Sequence, residues 1–351
     1  MKILIIQQKM IGDVLTSSIL LEALKSSYPN AELHYVINSN TLPVVINNPY
    51  LDKIIEVTPE IEKSRLKFFN FLKDIRKEKY DAVIDVYGKL GSLLISIFAK
   101  SKIKVSYHKS HTSAFFTHTI KRLKQPQHHA SLAIENRLKL LEPLNIPFKN
   151  YSPKIYLKSN EIEVSKQFLE SSNIDLNKDL YMISVLGSDR SKTYPFDYMA
   201  RLLDEIVSVT RGQILFNYIP KQEEDAKTIY NHCNSVTQKH IFFDVYGKSL
   251  RSFLAITSHC TALIGNEGGA NNMAKALNIP TFTIFSPYLN KQNWFSESEK
   301  GNNVAVHLSD YIDYSATDKV NAKKDPQTFY LKLKPELIIP DLKNFLSTLV
   351  S

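Results

Sequence analysis

Short apolar runs alternate with stretches of helical periodicity along almost the whole chain. Lys2–Ile6, Glu32–Ile37, Lys53–Val57, Tyr80–Val86 and Lys104–Tyr107 read as strands. Between them, Gly12–Ser27 carries Val14, Leu15, Ser18, Leu21 and Leu24 on one helical face, and Tyr28-Pro29-Asn30 ends it. Thr41-Leu42-Pro43 opens a short helix to Asn47. Ile61–Glu78, Leu90–Ala99 and His129–Glu142 are further helices, the last stopped by Pro143. A second series follows. Its helices are Glu161–Ser172, Phe196–Val209, Glu223–Asn234, Ser249–Thr257 and Ala270–Leu277. Its strands are Tyr181–Val185, Gln213–Tyr218, the short Ile241–Asp244, Thr261–Ile264 and Thr281–Phe285. Residues 301–339 read as irregular, and Pro340–Leu349 as a helix with proline at its first position.

Strand–helix alternation of this kind predicts an α/β fold with mostly parallel sheets. Pro143, Pro147 and Pro153 put a domain boundary near 155/156. The expectation is two doubly wound, Rossmann-like domains, 1–155 and 156–339, facing across a cleft. A closing segment, 340–351, is expected to pack back on the first domain. Ligands of such sheets bind at the carboxyl ends of strands.

The stretch 264–287 fits that rule best. An apolar run ends in Gly265-Asn266-Glu267-Gly268-Gly269, and a helix follows. Gly268 and Gly269 have no Cβ to hold an anion away from the backbone. The free N–H groups of the helix start would face that anion. The alternative is a flexible turn. Asp13, after Gly12 at the start of the first helix, reads either as a helix cap or as an exposed general base. Residues 187–195 form another carboxyl-edge loop, in which Ser188, Arg190 and Lys192 are available to a diphosphate. Glu223 follows the next strand, either on a ribose diol or simply favoured in a helix's first turn.

Composition adds a partner. The 351-residue chain carries a net charge of +9 and is 43% hydrophobic and 23% charged. From Val86 through Ile134 it holds no Asp or Glu but eight Lys or Arg, and five of its ten His. Such a block implies an anionic partner, or else a solvated basic face. The two cysteines have no metal spacing, and two are too few for a disulfide framework, which suits a reducing compartment. No signal pattern, membrane span or metal motif is present.

Four segments, in order, resemble glycosyltransferase family 9, the ADP-heptose:lipopolysaccharide heptosyltransferases. Met10-Ile11-Gly12-Asp13-Val14-Leu15 is similar to the family's opening. Lys192-Thr193-Tyr194-Pro195 is similar to its Lys-x-Trp-Pro, with Tyr for Trp. Gly247-Lys248-Ser249-Leu250 resembles its Gly-Lys-Thr-Ser-Leu turn, and Glu267–Asn272 occupies the place of its Asp-Thr/Ser-Gly-x-x-His. The resemblance implies a GT-B fold and an inverting sugar transfer with neither metal nor cofactor. Asp13 would be the base, beside Gly12. Lys192, Ser188 and the N–H groups at Gly268 and Gly269 would meet the diphosphate. Glu223 would hold the ribose, and Val245-Tyr246 the adenine. Glu267, Gly268 and Asn272 stand where the family has Asp, Thr/Ser and His, next to the donor sugar. The acceptor would be an anionic lipopolysaccharide core at the cytoplasmic face of the inner membrane, met by Lys109, Lys121, Arg122 and Lys124. The protein would then be cytoplasmic, in peripheral contact with that membrane. A nucleotide-sugar epimerase, or a non-catalytic binder of anionic lipid or nucleic acid, is the alternative; no nucleic-acid motif supports the last.

Overall fold

In a computed structural model, residues 1–296 and 301–349 are described. The chain divides into two compact units, Met1–Tyr156 and Leu157–Ser351.

The first unit is built on a six-stranded sheet. Its strands are β1 (Lys2–Ile6), β2 (Glu32–Asn38), β3 (Lys53–Val57), β4 (Ala82–Asp85), β5 (Ile103–Tyr107) and β6 (His118–Ile120). Their order is β3-β2-β1-β4-β5-β6, and every pairing is parallel. β1 lies between β2 and β4, so the order reverses there and opens a crevice at its carboxyl end. Ile3 to Ile6 are wholly buried, which explains why β1 is a continuous apolar run rather than an alternating one.

The second unit has β7 (Leu180–Ser184), β8 (Gln213–Phe216), β9 (Ala262–Asn266), β10 (Thr281–Ile284) and β11 (Asn303–Val306), in the order β11-β10-β9-β7-β8, again all parallel. The order reverses at β7. The loops after β7 and β9 therefore border that unit's switch point.

Several expectations change. The first helix is interrupted at Ser18, giving Ile11–Ser17 and Ile19–Ser27; the Ser18 hydroxyl donates back to the Leu15 carbonyl at 2.7 Å. β6 lies inside the basic block, which had read as loop. Ile241–Asp244 forms only a bridge to Ile214. Residues 301–339 are largely regular, with β11 and the helices Ala316–Lys324 and Pro326–Tyr330. The closing helix starts at Pro335, not Pro340, and carries Pro340 in its interior. Burial of Ile338, Leu342, Phe345 and Leu346 in the second unit's own core outweighs the one backbone bond Pro340 cannot make. Glu336 and Lys343 pair with Arg201 and Glu205 of the Phe196–Thr210 helix. The segment is thus part of the second unit's packing; residues 350–351 lie outside the described residues.

Candidate functional site

Asp13 lies three residues into the Ile11–Ser17 helix, just past β1 at the switch point. It is not the cap: Met10 holds that position, with no side-chain cap bond. The Asp13 side chain is 37% exposed, and its Oδ1 accepts a hydrogen bond from Arg137 Nη2 at 2.7 Å. Arg137 is buried. Its Nε donates to Ser17 Oγ and its Nη1 to the Ala133 carbonyl, both at 2.8 Å. Tyr107, at the end of β5, feels the charges of Arg137, Arg122 and Asp13. Burial pushes its phenol up, and among the described residues its buried hydroxyl has no hydrogen-bond partner. The Arg122 guanidinium lies 3.5 Å over the Tyr107 ring.

The sheet register divides the basic block. β5 and β6 run parallel, with Val105 opposite His118 and Tyr107 opposite Ile120. Lys109, Lys121, Arg122 and Lys124 follow these strands and lie at the carboxyl edge with Asp13. Lys100, Lys102 and Lys104 lie at the amino edge. Lys109 Nζ donates to the Gly88 carbonyl. Asp85, at the end of β4, accepts from Gly88 N–H at 2.8 Å and from Ser92 Oγ at 2.9 Å. Full burial, only partly offset by those bonds and by Lys109, raises Asp85 to about 6.

In the second unit, the Asp189 carboxylate caps the turn Arg190–Lys192 by accepting from Ser191 N–H at 2.9 Å, and it accepts from the Ser188 hydroxyl at 3.1 Å. Lys192 Nζ lies 3.7 Å from Glu267 Oε2. Glu267 is 9% exposed, and Oε2 has no hydrogen-bond partner among the described residues. Burial, opposed by the Lys192 ammonium, pushes this carboxyl above the usual range. Gly268 precedes the eight-residue helix Gly269–Ala276, and a Cβ built there would meet nothing within 4 Å. The backbone therefore fronts open space, although no steric need demands glycine. That need sits at Gly265: its φ is +131°, and a Cβ would lie 2.4 Å from the Ser184 carbonyl oxygen. Asn272 is half-buried beside the buried Asn271, whose Nδ2 donates to Thr283 Oγ1 at 2.9 Å.

The remaining expected residues are spread out. Glu223 is exposed at the start of the Glu223–His232 helix. Its charge reaches Tyr218, whose ring lies 5.1 Å from that of Tyr246, next to Val245. Ser188 lines a cavity of about 170 Å³ with Gly187, Arg190 and Gln222, whereas Tyr246 lines another of about 530 Å³ between the helices Ser159–Ser171 and Leu250–Thr257. Gln222, not Glu223, reaches the loop after β7, through its Nε2 to the Gly187 carbonyl at 2.9 Å.

Two residues escaped the sequence. Arg137 read only as part of a helix. Asn266 ties β9 to the loop after β7: its Oδ1 accepts from Tyr194 N–H, and its Nδ2 donates to the Ser184 and Val185 carbonyls. Both act on partners 70 or more positions away, and no local spacing signals them. Among the described residues, no group of three His, Cys, Asp or Glu is placed to hold a metal, and no helix is long and apolar enough to cross a membrane.

The model of "Glycosyltransferase family 9 (heptosyltransferase)" matches residues 68–323. Lipopolysaccharide heptosyltransferase 1 of Campylobacter coli is 26% identical over 306 residues, 84% of this chain and 86% of that protein. The family 9 glycosyltransferase structure from Veillonella parvula superposes with a TM-score of 0.83 at 18% identity, covering 99% of this chain and 96% of that one. The Escherichia coli ADP-heptose lipopolysaccharide heptosyltransferase II superposes with a TM-score of 0.73 at 16% identity, covering 99% of each. The structural likenesses make the fold GT-B, and the family model and the curated relative support a glycosyltransferase. With more than half its length matched, the chain belongs to glycosyltransferase family 9, the heptosyltransferases.

Proposed function

We propose that this glycosyltransferase moves heptose, with inversion, from ADP-heptose to an anionic lipopolysaccharide core, the first unit holding the acceptor and the second the donor. The reading rests on Asp13, an exposed carboxylate fixed by a buried arginine at the switch point of the first sheet. Asp13 takes the proton of the acceptor hydroxyl. The oxygen forms a bond to the anomeric carbon from the face opposite the nucleotide. The bond from that carbon to the diphosphate oxygen breaks, and the nucleoside diphosphate leaves with the electron pair. Lys192, Ser188 and the N–H groups at Gly268 and Gly269 stabilise the charge that grows on it. Val245 and Tyr246, the latter backed by the buried Tyr218, offer the nucleobase an apolar and aromatic surface, with Glu223 near them for the ribose.

At the carboxyl edge, Lys109, Lys121, Arg122 and Lys124 receive the acceptor's phosphates or carboxylates and bring the protein to the anionic membrane that carries it. The resident residues supply the charge that a divalent cation would otherwise supply, so EDTA leaves the rate unchanged. The test is transfer from ADP-heptose to a heptose-deficient lipopolysaccharide core. Asp13→Ala should lower kcat by about 10²–10⁴-fold, the usual worth of a positioned base. Transfer at the wild-type rate would remove Asp13 from the chemistry.

A further inference from the structure

The helix Leu132–Lys139 carries three consecutive buried polar residues, Glu135, Asn136 and Arg137, on only eight residues. Left unpaired, each would be a heavy cost to the fold. All three are instead paired with segments elsewhere in the first unit. The Glu135 carboxylate accepts from the N–H groups of Gln127, His128 and Ala130 at 2.6, 2.7 and 3.2 Å. Asn136 Oδ1 accepts from Leu123 N–H at 2.7 Å, and its amide nitrogen donates to the Leu132 carbonyl at 2.9 Å. Arg137 turns the other way, to Ser17 and Asp13. One turn of helix thus grips both the loop that follows Lys121 and Arg122 and the helix that carries Asp13.

We infer that Arg137 is the positioning residue of this enzyme: it aims the Asp13 carboxylate and sets it in register with the acceptor loop held by Glu135 and Asn136. The inference rests on the reading of Asp13 as the base. A guanidinium is planar, and two of its N–H directions are spent on fixed neutral oxygens, Ser17 Oγ and the Ala133 carbonyl. The third direction has no freedom left, and it meets Asp13 Oδ1. An aspartate held only by its own torsions would sample several rotamers, whereas this one presents a single orientation while its side chain stays open to solvent. Misplacing a reacting group by about 1 Å costs on the order of 10²-fold in rate, so the fork is worth most to kcat and little to donor affinity. Lysine cannot reproduce it, because one ammonium cannot reach all three oxygens in fixed directions.

The test uses the full chain with ADP-heptose and a truncated lipopolysaccharide core, and compares Ser17→Ala, Arg137→Lys and Arg137→Met. For each, kcat per folded molecule, acceptor KM, melting temperature and ADP affinity are measured. The expected result is a graded loss in kcat: about 3-fold when Ser17 no longer steadies the fork, about 10-fold for Arg137→Lys and about 100-fold for Arg137→Met. ADP affinity stays at wild type. A purely structural arginine would instead lower the melting temperature in the same order and leave kcat per folded molecule unchanged, and that result overturns the inference. If Arg137→Met does not fold, Arg137→Lys and Ser17→Ala still carry the decision. Failure of the underlying reading shows separately, as Asp13→Ala transferring at the wild-type rate.

Discussion

Asp13 and Glu267 each lie just past an inner strand of their own unit, and the two units treat their carboxylates in opposite ways. Asp13 is half-open to solvent yet held by a donor that is itself pinned twice. Glu267 is almost fully buried, its nearest cation is 3.7 Å away, and one of its oxygens is unpartnered among the described residues. The first arrangement is finished before any ligand arrives. The second leaves a buried carboxyl oxygen without a hydrogen bond among the described residues, a loosely paired ammonium and an open stretch of backbone at Gly268. Buried polar groups are rarely left so without a reason. Under the proposed function, the difference separates a base aimed before the acceptor binds from a donor pocket that the nucleotide sugar would complete.

The comparison can be broken most directly at Lys192. If the second half-site is completed by a diphosphate, Lys192→Ala should lower kcat/KM for ADP-heptose by about 10²–10³-fold. A loss below tenfold would mean that Lys192 serves only Glu267. The floor of that open site is tested at Gly265. Gly265→Ala forces a Cβ to within 2.4 Å of the Ser184 carbonyl, in a backbone conformation side chains avoid. It should destabilise the second unit by about 3 kcal/mol, seen as a lower urea midpoint. Gly268→Ala should leave that midpoint nearly unchanged, because its Cβ meets nothing.

A further effect, seen only as a change with pH, belongs to the first unit's bracing. Asp85 titrates at about 6 in the fold, against an ordinary aspartate value of 3.8. A raised carboxyl favours the protonated form in the fold. Its contribution is therefore complete below about pH 3.8 and is lost as pH rises through 6. The whole swing is about 3 kcal/mol. The stability of wild type minus that of Asp85→Asn should fall by up to that amount between pH 4 and pH 7, measured by urea unfolding at each pH. A difference constant across the two would show that burial is not what governs Asp85.

Much of the scaffold was legible because β1, β4, β7 and β9 are buried on both faces, and their apolar runs stand out from the helical segments. β6 did not stand out: His118-Thr119-Ile120 is a three-residue edge strand with one apolar side chain. The helix Ala316–Lys324 was hidden for a related reason. It buries little beyond Ala322, so its periodicity has almost nothing apolar to mark it. As candidates for the site, Asp13, Lys192 and Gly268 could be named from the sequence because loop position and residue type both pointed at them. Arg137 and Asn266 were not, since each is defined by what it touches across the fold.

The division of the basic block between the two edges of the first sheet has an electrostatic consequence. A five-residue strand spans about 16 Å, while the screening length at physiological ionic strength is about 8 Å. The lysines at 100, 102 and 104 and the cations at 109, 121, 122 and 124 therefore act as two short-range patches rather than one long-range field. Lys89, which follows β4, joins the carboxyl-edge group, and Arg137 meets Asp13 directly, so only part of the chain's positive charge lies near that carboxylate. If that edge receives the proposed anionic acceptor, the salt dependence of binding follows this patch rather than the net charge of the chain.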